Sequence, residues 1–262
     1  MKEFFGFGEG TRPIEGYMSW QHICFVTTAL LIMATLAVLI GLKYRTKTDK
    51  EKNKILVTAA IVIDSLEIIR MILVCIRSGD PDHWIVVLPF FLCSIQLITI
   101  PLAAFSKGRV KEAALDFVFI FGLLGALAGT YGAANDYSAN PIFSYDILHT
   151  TLTHTISGFC SLYIGISGMA SMKKKNIPVG FAIVSVFCVI SYIINVATEG
   201  RTNYMFLARH DGTPYVIFYD LVGGNPILYP IIVTLLFFVF IAIFYGIYYL
   251  ATKKKGEEKV KE

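Results

Sequence analysis

The stretch HWIVVLPFFLCSIQL, residues 83–97, is apolar but carries a proline, a thiol, a hydroxyl and an amide. It belongs to an apolar run over 84–105, and a membrane-spanning helix needs about 20 such residues. Polar atoms at membrane depth cost free energy unless they are paired, so polar residues in such a helix are functional-site hypotheses. The stretch therefore predicts a membrane helix with Cys93 at the centre of its chemistry.

The rest of the chain has the same apolar character. Its 262 residues are 55% hydrophobic and 16% charged, with a mean hydropathy of +0.64, whereas a water-soluble domain has about 25% charged residues. The composition predicts an all-α integral membrane protein that forms a single membrane domain over residues 1–262. The net charge of +4 is spread between the apolar runs and does not form one surface, which argues against a nucleic-acid partner.

Seven apolar runs are long enough to cross a bilayer, which predicts a seven-transmembrane-helix bundle. Lys and Arg crowd the first, third and fifth connections and the C-terminal tail, while the other connections carry few of them. Because basic loops stay in the cytoplasm, this alternation predicts that the N-terminus is outside and the C-terminus is cytoplasmic. The predicted helices are 19–42, 55–76, 84–105, 113–134, 146–170, 178–199 and 227–250, with a long outer loop at 199–226.

Polar residues inside these runs concentrate in the outer half of the membrane. With about 1.5 Å of rise per helical residue, they lie roughly 4–15 Å below the outer surface. Several helices therefore deliver ionisable or nucleophilic groups to one layer, which predicts a polar cavity that opens outwards. The residues that set this layer are His22, Glu67, Arg70, Cys93, His149, His154 and Asn195.

A thiol and an imidazole at matching depth suggest nucleophilic chemistry. Only the thiolate is a nucleophile, and a nearby imidazole commonly generates it. Cys93 and His154 lie on different predicted helices at similar depth, which permits a contact. The alternatives are a cysteine that acts as a small hydrophobe and an internal charge network of Glu67 with Arg70 that holds helices together. We expect neither a metal nor a cofactor.

Four segments carry a resemblance to a known family: SWQH at 19–22, LPFFLCSI at 88–95, the histidine of LTH at 152–154, and NYMFL at 203–207 followed by Asp220 and PILY at 226–229. Over about residues 17 to 250 the chain resembles the YwaF-type bacterial membrane proteins and their animal relatives, the transmembrane protein 164 group. That group is similar in fold to the androgen-induced gene 1 type lipid hydrolases.

The resemblance implies a membrane acyltransferase that moves a fatty acyl chain between phospholipid and lysophospholipid in a bacterial-type cell membrane. Cys93 would be the nucleophile and His154 the base. The partners would be a phospholipid or lysophospholipid substrate and the lipid bilayer. Residues expected to bind substrate or support the site are His22, Glu67, Arg70, Asn195, Asn203, Tyr204 and Asp220.

Two other functions remain open at this point. The same residues would also serve an intramembrane lipid ester hydrolase. A non-enzymatic transporter or binding protein is the other alternative, although the internal repeats with interrupted helices typical of transporters are not evident. The last predicted helix has no lysine between residues 227 and 250, which argues against a retinal protein. The sequence leaves the acyl donor, the acceptor and the oligomeric state open.

Overall fold

A computed structural model describes residues 2–7, 12–92, 94–211 and 213–258, with side chains to residue 252. Over these residues the chain is helical and contains no strand. It divides into two compact units, Met1–Asn176 and Ile177–Glu262, where the sequence predicts one domain. Each unit is described by itself.

The first unit is a bundle of α-helices joined by short turns. A capping box at Thr48 and Glu51 begins its second helix, and Ser19 and Ser144 accept backbone hydrogen bonds at the starts of two others. Such caps satisfy N–H groups that have no partner within the helix. The helices are α1 (Trp20–Tyr44), α2 (Asp49–Ser78), α3 (Gln96–Phe105), α4 (Gly108–Tyr131), α5 (Ala134–Ala139) and α6 (Tyr145–Ser167).

The second unit contains α7 (Ile177–Ala197), α8 (Val216–Leu221) and α9 (Leu228–Glu258). Helix α7 packs against α9. The predicted outer loop over 199–226 contains a 3-10 turn, Tyr204–Phe206, and the short helix α8. It is therefore a partly helical segment instead of a plain loop.

Four helical segments are long and apolar enough to cross a membrane by length and composition: Trp20–Tyr44, Gly108–Ala139, Lys174–Ala197 and Leu228–Thr252. Helices α2 and α6 are also long, with 30 and 23 residues, but both carry polar or charged side chains along their length. The fold class is therefore all-helical with several candidate membrane spans.

The third predicted helix differs most from the structure. A continuous helix over 84–105 is not formed: Pro81–Val87 is a 3-10 helix, and α-helix begins only at Gln96. Pro89 lacks a backbone N–H and its ring clashes with a preceding helical turn. Instead, Phe91 donates its backbone N–H to the Ser94 hydroxyl at 3.1 Å, which stabilises a turn.

Helix α6 is the centre of the first unit, where it packs against α1, α2 and α4. Its buried hydroxyls bond to backbone carbonyls: Thr155 donates to Thr151 at 2.8 Å and Ser161 donates across to Phe119 of α4 at 2.6 Å. These bonds hide polar atoms that apolar surroundings would otherwise leave unpaired. Gly122 lets α4 approach closely, since a Cβ there would lie 2.6 Å from the Ser157 carbonyl oxygen.

This close approach predicts the effect of a single methyl group. Gly122→Ala should destabilise the first unit by about 1–3 kcal/mol, because the clashing atom belongs to the backbone and cannot rotate away. Thermal unfolding in detergent, followed by circular dichroism or fluorescence, measures the change.

Gly246→Ala in α9 is the matched control, because a Cβ there meets nothing within 4 Å. It should be neutral or stabilise the helix by roughly 0.5–1 kcal/mol. Equal losses in the two variants would show that helix approach at Gly122 is not the cause.

Candidate functional site

A cavity of about 250 Å³ lies in the first unit at the end where α2 finishes and α6 begins. Its wall contains three carboxylates, an arginine, two histidines and several hydroxyls, together with the apolar side chains of the segment that breaks the third predicted helix. These side chains belong to α2, α5 and α6 and to the segment between α2 and the start of α3, which contributes residues 86–89, Phe91, Ser94 and Leu97.

Glu67 is the best-connected polar group in this wall. Its side chain is 8% exposed and forms an ion pair with Arg70, whose Nε donates to Oε2 at 3.2 Å and whose Nη2 donates to Oε1. His149 Nε2 lies 3.0 Å from the same Oε2, but the ring N–H is not aligned for a hydrogen bond. This close polar contact links α2 to α6.

Arg70 also holds the segment that lines the other side of the cavity. Its Nη2 donates to the backbone carbonyl of Val87 at 2.6 Å. This bond satisfies a carbonyl at the point where the 3-10 helix ends and regular structure stops. Glu67 and Arg70 thus form the internal network that the sequence suggested as an alternative, and they also face the cavity.

His154 lines the cavity one and a half turns from His149 along α6. The imidazole is half-buried and faces the cavity. Its ring occupies space left by Gly129 of α4, where any Cβ would overlap it.

Cys93 lies outside the residues that the structure describes. Phe91 and Ser94, the nearest cavity-lining residues on either side of it in sequence, both contribute to the wall. The wall that contains His154 therefore also contains the sequence neighbours of the predicted nucleophile. A Cys93–His154 contact stays a prediction.

Several lining residues are missing from the sequence-based site. Thr150, Thr153 and Ser157 join His154 on one face of α6, and their spacing of i, i+3, i+4 and i+7 is the signal that would have found them. Thr150 donates to Asp136 Oδ2 at 2.9 Å, which brings α5 into the wall. Asp64 is not in the wall, although it shares the three-residue spacing of Glu67 and Arg70.

Asp146 closes the cavity at the beginning of α6. Arg77 donates from Nη1 and Nη2 to its two carboxylate oxygens at 2.6 and 2.9 Å. This bidentate hydrogen bonding raises the pKa of the Arg77 guanidinium above its ordinary value. Over the described residues, no three His, Cys, Asp or Glu side chains are grouped to hold a metal ion.

His22 lies away from the cavity wall. Its Nδ1 accepts from the Met18 backbone N–H at 3.0 Å, and its Nε2 lies 3.2 Å from the Thr130 carbonyl oxygen. The ring is fully buried and stacks on Tyr137, with 3.8 Å between centroids. These contacts join the start of α1 to the end of α4, so His22 has a structural role.

The other predicted residues belong to the second unit. The Asn195 side chain donates to the Tyr204 carbonyl at 3.0 Å and accepts from its backbone N–H at 2.8 Å. Asn203 likewise donates to the Arg209 carbonyl and accepts from two backbone N–H groups. Both amides therefore hold the loop that contains NYMFL. Tyr204 is buried and Asp220 is exposed on α8.

Comparison with known proteins shows the family to which the chain belongs. No curated protein and no solved structure gives a significant match to the chain. The model of the TMEM164 family matches residues 17–248, which include every segment that lines the cavity. The chain therefore belongs to the TMEM164 family, and its apolar helices mark it as a multi-pass membrane protein.

Proposed function

We propose that this protein is a membrane-embedded lipid acyltransferase that uses Cys93 and His154 to move a fatty acyl chain between phospholipid and lysophospholipid. The observation that carries the proposal is the polar cavity in the first unit, because it is lined by His154 and by Phe91 and Ser94, which lie on either side of Cys93 in the sequence. Perturbed or reactive groups in a concave site are the usual mark of catalysis.

The proposed reaction has two steps. His154 takes the proton of the Cys93 thiol, and the thiolate attacks the ester carbonyl of a phospholipid. The ester C–O bond breaks, the leaving lysolipid oxygen takes the proton from His154, and an acyl thioester remains on Cys93. In the second step a lysophospholipid hydroxyl gives its proton to His154 and attacks the thioester, the C–S bond breaks, and the thiol is restored.

The surroundings of His154 suit a base. A catalytic histidine needs one ring nitrogen held by a partner so that the other presents its lone pair to the nucleophile. Gly129 leaves room for the imidazole in the cavity wall, while Glu67 is engaged with Arg70 and His149. We therefore propose that the packing of α4 against the ring, and not the Glu67 carboxylate, positions His154.

Arg70 is the proposed anion-binding group of the site. A guanidinium donates up to five hydrogen bonds in a fixed plane and suits phosphate or a developing oxyanion. Arg70 is anchored by Glu67 and Val87, so its charge sits at a fixed place in the cavity wall. Fixed donors stabilise charge without reorganising during the reaction.

The topology that fits this site has seven crossings, with the N-terminus outside. Helices α2 and α6 span about 45 Å and 34 Å at 1.5 Å per residue, long enough for a bilayer. Residues 81–105 would make the broken third crossing. Non-helical backbone at membrane depth is tolerated where it lines a cavity, and residues 86–91 do so. We place the protein in a bacterial-type cell membrane, with YwaF-type relatives.

The activity prediction concerns the two catalytic side chains. In liposomes with a lysophospholipid acceptor, wild type should transfer acyl chains, detected by mass spectrometry. Cys93→Ala should remove transfer, and His154→Ala should lower its rate by about 10²–10⁴-fold, the usual contribution of a general base.

Cys24→Ala and His210→Ala are the matched controls, because neither residue lines the cavity. Both should keep wild-type rates. Release of free fatty acid without transfer would assign the same residues to a hydrolase. Absence of any lipid turnover in folded wild type would contradict the enzymatic proposal and favour a binding protein.

Gly129→Ala tests whether the position of His154 matters. The added methyl group overlaps the imidazole and should lower the transfer rate at saturating substrate by at least about tenfold, since small displacements of a catalytic group are costly. Gly41→Ala is the matched control, because its Cβ would meet the Ile166 side chain of α6 at 2.8 Å, away from the cavity. A similar loss in both variants would assign the effect to packing.

The orientation is tested with single cysteines in right-side-out vesicles. A membrane-impermeant maleimide should label Ser138→Cys, near the end of α5, and should leave Thr48→Cys, before α2, unlabelled until the vesicles are opened. The reverse pattern would overturn the proposed orientation.

A further inference from the structure

A short segment before the first helix packs against the end of α2 and the start of α6. It consists of residues 2–7 and is called the cover segment. Phe4 and Phe5 pack on Tyr145 at the start of α6, with ring centroids 6.4 and 5.8 Å apart. Gly6 lies directly against the Arg77 guanidinium, since a Cβ there would be 2.6 Å from Nη1.

The residue beneath this cover belongs to two cavities. Asp146 lines the polar cavity that contains His154, and it also lines a smaller cavity of about 200 Å³ together with Glu3, Gly6 and Arg12. Asp146 therefore lies between the two spaces, and Arg77 holds it there. Both side chains of the pair are only about one-fifth exposed, at 20% and 22%.

Further contacts fix the chain that follows. Arg12 donates from Nη1 to the Phe143 carbonyl at 2.9 Å. Glu15 accepts from the Ile142 backbone N–H at 2.9 Å. Both partners lie in the turn between α5 and α6, so the chain before α1 rests on that turn at two points. The contacts of the cover segment with Tyr145 and Arg77 are added to these.

We infer that the cover segment and the Arg77–Asp146 pair determine acceptor choice by keeping bulk water out of the cavity. This inference rests on the proposed function. The acyl thioester on Cys93 can react with a lysophospholipid hydroxyl, which gives phospholipid and thiol. It can equally react with water, whose oxygen forms the new C–O bond as the C–S bond breaks, which gives a free fatty acid and thiol.

The geometry favours this role over a purely structural one. Asp146, which Arg77 holds, lines both cavities, so water that enters from the proposed outer face through the smaller cavity would pass this pair, whereas a lysolipid acceptor can approach through the bilayer. Excluding water from a reactive intermediate is a general function of active-site covers. The ion pair suits the purpose because a bidentate arginine–carboxylate contact fixes two side chains in one arrangement.

The first test measures water access without any reference to catalysis. Ser157→Cys, at the deep end of the wall, serves as reporter in a chain whose Cys24, Cys75 and Cys93 are replaced by serine. The same background without the reporter is the blank. The rate of reaction with a charged, membrane-impermeant methanethiosulfonate is followed in protein reconstituted in liposomes.

Gly6→Ala should raise the reporter's reaction rate by about tenfold, equivalent to about 1.4 kcal/mol of easier opening. The methyl group pushes the cover segment off Arg77 without removing a charge. Gly16→Ala is the matched control, because Gly16 also has a positive φ but a Cβ there meets nothing within 4 Å. Asp146→Asn, which removes the charge contact with Arg77, provides a second opening variant and should raise the rate as well.

The second test measures acceptor choice in the chain with native cysteines. Gly6→Ala should raise the ratio of free fatty acid to transferred acyl product by about tenfold relative to wild type and Gly16→Ala. Unchanged reporter rates in both opening variants would contradict the proposal that the cover segment keeps water out of the cavity. Raised reporter rates with an unchanged product ratio would overturn its role in acceptor choice. Raised reporter rates in a protein that turns over no lipid would support the exclusion of water by the cover segment and would contradict the proposed function.

Discussion

A buried carboxylate is the constraint on which the first unit depends. Glu67 lies on α2 with 8% of its side chain exposed, and an unpaired charge there would cost several kcal/mol. Arg70 forms an ion pair with this carboxylate, and His149 contacts it from α6. Arg70 also donates a hydrogen bond to the Val87 carbonyl. The side chain that neutralises Glu67 therefore also fixes the non-helical segment that follows Val87. The charge, the broken helix and the cavity are therefore one arrangement.

Helix α6 solves a related problem with neutral groups. Its buried threonines and serines bond to backbone carbonyls of their own helix or of α4, so the helix brings many polar atoms into an apolar bundle at little cost. Small residues let α4 approach closely enough to enclose the His154 ring. Helix α6 thus packs against α1, α2 and α4 and also carries the proposed base. One of its faces lines the cavity.

The sequence predicted the parts of this arrangement that depend on composition and spacing. Long apolar runs gave the all-helical membrane class, and three of the polar residues within them, Glu67, Arg70 and His154, line one cavity. The sequence predicted a helix over 84–105, because a proline's local effect does not reveal that Arg70 will stabilise another path. The hydrogen bonds of Asn195 and Asn203 to loop backbone were not predicted, because loop conformation sets these partners and residue spacing does not encode it.

The sequence also did not predict which of the two histidines contacts Glu67. His149 and His154 are five residues apart on one helix, and nothing in their spacing says that Glu67 will contact His149 and not His154. That choice depends on how α2 crosses α6. It leaves His154 packed against Gly129 of α4, in the same cavity wall as His149.

The central claim is that an acyl chain passes through a thioester on Cys93. The most direct test is mass spectrometry of the peptide that contains Cys93, after the protein has been incubated with phospholipid and no acceptor, with and without hydroxylamine. The account predicts a fatty acyl mass on Cys93 that hydroxylamine removes and that a lysophospholipid acceptor depletes. A protein that transfers acyl chains while Cys93 carries no such adduct, or carries it on another residue, would contradict the account.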